Sequence, residues 1–135
     1  MSLFAWSDDY LLGRAEFDEQ HKQLFRMADE LDNAVLENRG PESQIGLYGR
    51  LVTYLRRHFD NEELLMRESA YPLYVQRHLE HQKVMQQVLD LQRNLATGRT
   101  DFNMSLMQTL SCWLLRHVQS LEHQKLATHL RRMRA

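Results

Sequence analysis

The chain has one cysteine, two prolines and five glycines, and it has no long apolar run. A single thiol, Cys112, excludes an internal disulfide framework and suits a reducing, cytoplasmic setting. No stretch approaches the roughly 18 apolar residues that a membrane helix needs, so no membrane partner is expected. The opening Met1-Ser-Leu-Phe-Ala-Trp6 has no basic segment leading into an apolar run and does not read as a signal peptide. Excess charge is also lacking. Seventeen basic and eighteen acidic residues leave a formal charge of -1, which argues against a surface for nucleic acid. Arg131, Arg132 and Arg134 form a short basic tail that fraying and solubility account for.

What is present is enough for one domain spanning 1–135, because a hydrophobic fraction of 43% can build a core without cross-links. The few glycines and prolines fall between helical patterns: Gly40-Pro41, Pro72 and Gly98 predict helices near 18–38, 42–68, 72–96 and 103–130. Each carries an apolar stripe at spacings of three, four and seven. Phe17, Leu24, Phe25, Ala28, Leu31 and Val35 mark the first, and Leu47, Leu51, Tyr54, Leu55, Leu65 and Met66 the second. Val84, Met85, Val88, Leu91 and Leu95 follow in the third, then Leu106, Leu110, Trp113, Leu114 and Leu121 in the fourth. Four such stripes joined by short links predict an all-α fold, an antiparallel up-and-down four-helix bundle. The arm holding Phe4, Trp6, Tyr10, Leu11 and Leu12 is too apolar to hang free and is expected to lie along it.

Histidines interrupt these stripes. His21 extends the first, His58 and Glu62 sit one turn apart in the second, His81 belongs to the third and His117 to the fourth. A lone inward histidine is usually a hydrogen-bonded core residue. Four in one interior would need four separate sets of partners, and a shared metal ion satisfies them together. Antiparallel packing also places His21, the His58–Glu62 pair, His81 and His117 toward one end of the bundle. A donor set rich in imidazole and containing carboxylate suits iron. Carboxylates are fewer here than in oxidase-type di-iron bundles, which favours reversible oxygen chemistry over attack on a substrate.

These features resemble the bacterial hemerythrins. The resemblance rests on the Trp6 arm with Gly13, Phe17-Asp-Glu-Gln-His21-Lys-Gln-Leu-Phe25, His58-Phe-Asp-Asn-Glu62-Glu-Leu-Leu-Met66, Tyr71-Pro72, His81 and Trp113-Leu-Leu-Arg-His117. It implies two non-haem iron ions held by five histidines and bridged by two carboxylates and an oxo or hydroxo group. In that family dioxygen binds at the iron bearing two histidines and is held as a hydroperoxide. By position, His21 and His58 look like the ligands of that iron, Glu62 like a bridge, and His81 and His117 like two of three imidazoles on the other.

Two positions depart from the family pattern. Arg77 stands where the third imidazole would fall, and Glu122 where the second bridge is an aspartate. Arginine stays protonated and cannot ligate. Pointing inward, it would make a buried ion pair with Glu62 or Glu122; pointing outward, its stem would cover the bundle while its charge reaches water. His78 is counted among the expected ligands, since a tightened first turn would aim it at the site; otherwise it is an edge residue. Glu122 lies five residues beyond His117, roughly 140° round a regular helix, so both reach one centre only across a wide turn. His123 and His129 are expected on exposed faces.

The function implied is dioxygen binding for storage, delivery or sensing, with dioxygen or small anions at the iron and no enzymatic step. The alternatives are a low-specificity peroxidase or nitric oxide reductase, or a bundle with a degenerate, single-metal or empty site acting as an interaction module.

Overall fold

The computed structural model describes residues 4–118 and 121–133, with the side chains of residues 104, 105, 118, 121 and 122 outside that description. A short 3-10 turn at Asp8–Tyr10 leads into α1 (Ala15–Leu36), α2 (Pro41–Glu68), α3 (Tyr74–Ala96), α4 (Met104–Val118) and α5 (Leu121–Met133). There is no strand among the described residues. α4 and α5, on either side of residues 119–120, occupy the place of the single fourth helix that periodicity predicts. α1 packs on α2, α2 on α3 and α4 on α1, giving an all-α four-helix bundle. No helix among the described residues is long and apolar enough to cross a membrane.

Local chemistry sets the helix ends. Pro41 stands in the first turn of α2, where a missing N–H costs nothing. α2 closes with Ala70 at φ 51° and a hydrogen bond from the Tyr71 N–H to the Met66 carbonyl at 2.8 Å. That left-handed exit carries Pro72 into a turn, so α3 starts at Tyr74, two residues later than Pro72 alone suggests. The arm is pinned as well. Asp18 is buried, and its carboxylate accepts from the N–H groups of Leu12 (2.7 Å) and Gly13 (3.2 Å), the latter at φ 82°. Trp6 then meets Phe25 edge to face, with centroids 5.3 Å apart, and Phe4 is buried in the core.

The apolar interior is divided. The larger cluster contains Leu24, Phe25, Ala28, Leu31, Tyr48, Val52, Leu55 and Leu114. The smaller one joins Phe17, Met66, Tyr71, Leu126 and Leu130. Every residue of the α1 stripe is buried, each contributing roughly 1.5–3 kcal/mol where it is large. On α3 only Leu95 is fully buried; Val84, Met85, Val88 and Leu91 are half-buried. Val84, Val88 and Leu91 face an apolar cavity of about 210 Å³ that they share with Leu55, Leu110 and Trp113. The stripe of α3 is therefore less closely covered than that of α1.

Candidate metal centre

The helical period that buries Phe17, Leu24 and Phe25 carries His21 into the same face of α1. His21 is fully buried, and neither of its ring nitrogens has a hydrogen-bond partner among the described residues. On α2, His58 and Glu62 are one turn apart and point the same way, with His58 Nε2 2.7 Å from Glu62 Oε1. The Oε1 of Gln20, the neighbour of His21, accepts from His58 Nδ1 at 2.6 Å. A neutral His58 therefore presents its Nε2 lone pair to the interior. His117, from α4, brings its Nε2 to 3.0 Å from that atom.

His123 completes the group. Its Nε2 lies 2.6 Å from Glu62 Oε1, and its ring centroid is 4.3 Å from that of His117. It is only 7% exposed, against the expectation of an outward residue. That expectation projected one regular helix, on which six residues turn by roughly 240°; the structure instead brings the two rings together. His129 is also corrected: it is half-buried, with Nε2 2.9 Å from the Ser69 carbonyl oxygen. His21, His58, Glu62, His117 and His123 each offer a donor atom, and those atoms all lie within 4.8 Å of one another.

The other expected residues are placed apart. His81 is half-buried and stacks on Phe59 at 3.9 Å. Its Nδ1 is 2.8 Å from Glu63 Oε2, and its Nε2 is 3.4 Å from Glu62 Oε2, the oxygen facing away from the cluster. His78 turns its Nδ1 to the other oxygen of Glu63, and its side chain is 38% exposed at the bundle's edge. The side chain of Glu122 lies outside the described residues. Arg77 takes neither simple pose. Its Nη1 pairs with Glu80 Oε2 at 2.8 Å, with the side chain only 16% exposed. It lines a cavity of about 330 Å³ with Glu62, His81, Arg116, His117 and His123.

Electrostatics follow from burial and crowding. Burial pushes the His21 imidazole down to about 4, helped by the neighbouring His58 and His123 and opposed by Glu62. His117 is lowered well below the ordinary histidine range, again chiefly by burial. For Glu62, burial alone would raise the carboxyl, but His123 and His58 outweigh it and hold the group well below its usual range. Burial likewise opposes the rise at His81, where Glu62 and Glu63 prevail. Glu62 is thus held anionic, and the His21 and His117 imidazoles are held neutral, the protonation states that metal ligation requires.

Gln20, Glu63 and His123 escaped the sequence reading. Gln20 and Glu63 act through partners on other helices, His58 for one and His78 with His81 for the other. No periodicity on their own helices announces such pairings.

The hemerythrin HHE cation binding domain matches residues 12–129 of the chain. Bacteriohemerythrin of Methylococcus capsulatus is 30% identical over 125 residues, covering 90% of this chain and 93% of that protein. Myohemerythrin of Sipunculus nudus is 21% identical over 119 residues, 88% of each chain. Among solved structures, a hemerythrin with a leucine-to-alanine substitution superposes with a TM-score of 0.88 at 22% identity, covering 96% of this chain and 98% of that one. Wild-type hemerythrin superposes with a TM-score of 0.80 at 23% identity, over 87% and 90%.

Proposed function

Because the chain belongs to the hemerythrin HHE cation-binding family, we propose that it binds iron at the buried histidine–glutamate cluster and takes up dioxygen there, for storage, delivery or sensing. The observation that carries this is His21, whose two ring nitrogens are buried without hydrogen-bond partners among the described residues, beside four further donors. Each such orphaned polar atom costs about 1–3 kcal/mol, and a shared ion at the cluster offsets that cost. The donor set fits: four imidazoles and one ionised carboxylate suit iron, and Cys112 is exposed and stands outside the cluster. Iron, when bound, supplies a redox-active position at which dioxygen can be held.

The chain's own residues do the rest. Gln20 fixes the tautomer and direction of His58 from behind. Trp113 stacks on His117 with ring planes 14° apart, and Phe59 on His81. Dioxygen is apolar, and the apolar cavity under α3 offers it a place that water gains little by entering. That cavity shares Val84 and Trp113 with the one bordering Glu62 and His117, so the two adjoin at those side chains. The apolar wall also slows the entry of water and anions to the cluster.

The test is an anaerobic titration of the full chain with ferrous iron, then exposure to dioxygen and its removal. The expected result is an oxygen-dependent absorption band that reverses on deoxygenation. A chain that acquires no iron fails this reading and fits an interaction module. The cavity walled by Arg77 and Arg116 favours a second reading, reduction of peroxide or nitric oxide. Sustained turnover of either, with no reversible oxygen band, selects it.

A further inference from the structure

The five clustered donors form a set that is complete around one point. Four imidazoles and Glu62 Oε1 each bring a donor atom within 4.8 Å of all the others. Two of those imidazoles, His58 and His123, contact the same oxygen of Glu62. A first-row ion is well served by such a set, whose five donors leave one position of an octahedron open for dioxygen.

The neighbouring position is different. Among the described residues, the donors there that lie outside the five-donor cluster are Glu62 Oε2 and His81 Nε2, 3.4 Å apart, while the His117 and His123 that also border the cavity belong to the cluster. His117, which the resemblance assigns to a second iron, sits instead 3.0 Å from His58 in the five-donor cluster. Arg77 lines the cavity on that side with a guanidinium that never deprotonates, and Arg116 lines it too. Among the described residues, a divalent ion there would find few donors outside the cluster, with a permanent cation as its neighbour. His78, the other imidazole on that stretch of α3, is paired with Glu63 at the bundle's edge.

We infer that this centre holds one iron per chain, with His123 as a ligand, and that the cavity walled by Arg77 accepts no second ion. The inference rests on the metal-binding reading above and narrows it. Where the family's expected arrangement is a bridged pair, this chain concentrates its donors on a single ion. His123 brings the imidazoles around that ion to four.

The experiment loads the full chain anaerobically with excess ferrous iron, and separately with zinc as a redox-silent probe, then desalts it and measures metal per chain by mass spectrometry. One ion per chain is expected for either metal, with the air-oxidised iron form showing the paramagnetic resonance of an isolated high-spin ferric ion. His123→Gln should lower affinity about tenfold or more in chelator competition, with helix content unchanged by circular dichroism. His129→Gln, on the same helix, should leave affinity unaltered. Arg77→His should raise the capacity to two ions. Two ions in the unaltered chain overturn the inference while leaving metal binding intact; no ion overturns both. One ion whose affinity ignores His123→Gln removes His123 from the site. Should that variant fail to fold, the stoichiometry of the unaltered chain and of Arg77→His still decides.

Discussion

His123 Nε2 stands 2.6 Å from Glu62 Oε1, a contact that ties α5 to the later half of α2 across the interior of the bundle. The same oxygen is 2.7 Å from His58 Nε2 and 3.9 Å from His21 Nε2. The other oxygen of Glu62 faces His81. One carboxylate therefore divides its two oxygens between the crowded cluster and the open cavity, and most of the site's behaviour passes through it.

Glu62→Gln keeps the size of the side chain and removes its charge. Iron per chain should fall to background after loading and desalting, because four imidazoles lose the one anionic neighbour that the cluster has among the described residues. Elemental analysis checks this, and retention of the full complement would show that the carboxylate is dispensable.

Gln20→Ala removes the acceptor behind His58 Nδ1. Loss of such an outer partner lowers metal affinity about 10–100-fold. Competition against a chromophoric chelator should show that loss while the thermal unfolding curve of the metal-free chain barely moves.

Acid should destabilise the metal-free protein. Unfolded His21 takes up a proton near the ordinary histidine value of 6.5, whereas the buried ring resists until about 4. Between those values the unfolded state binds more protons, so stability falls as pH drops, by on the order of 3 kcal/mol for this group. His117 acts in the same direction. Glu62 adds to it: held well below its ordinary 4.5, it contributes stability that disappears as pH falls through that region. His81 is raised and opposes the trend, contributing below 6.5 and losing its effect as pH rises. Urea midpoints should therefore be lower at pH 5 than at pH 7, and equal midpoints would contradict the buried neutral imidazoles.

Leu110→Phe enlarges a side chain on the wall of the apolar cavity. It should slow dioxygen association in stopped-flow mixing while leaving iron per chain unchanged, with little cost in stability because the added atoms occupy cavity space. An unaltered association rate would mean that dioxygen reaches the cluster by another way.

Tyr48→Phe tests the bundle itself. The buried hydroxyl donates to the Val88 carbonyl at 2.8 Å and joins α2 to α3. Burial pushes this phenol upward, so it stays protonated and donating through neutral pH. Its removal should cost about 0.5–1.5 kcal/mol in urea unfolding without touching metal content.

Much of this was legible in the chain alone. The stripe Phe17, Leu24, Phe25, Ala28, Leu31 and Val35 is buried as its spacing predicts, because a helix repeats its faces wherever it forms. His21, His58, Glu62 and His117 were legible for the same reason: each shares an apolar face and has to point inward with it. The absence of a histidine at Arg77 was equally plain. Less of α3 was legible, since Val84 and Val88 border a cavity where their pattern promised a closed core.

Sequence by itself determined a four-helix bundle with inward imidazoles on separate helices, because local periodicity fixes the angle of each residue about its own helix axis. Tertiary structure alone decided that His123 joins the cluster, that Gln20 stands behind His58, and that Glu63 draws His78 and His81 to itself. Those contacts depend on how the helices are rotated and shifted against one another. No spacing within a single helix encodes that.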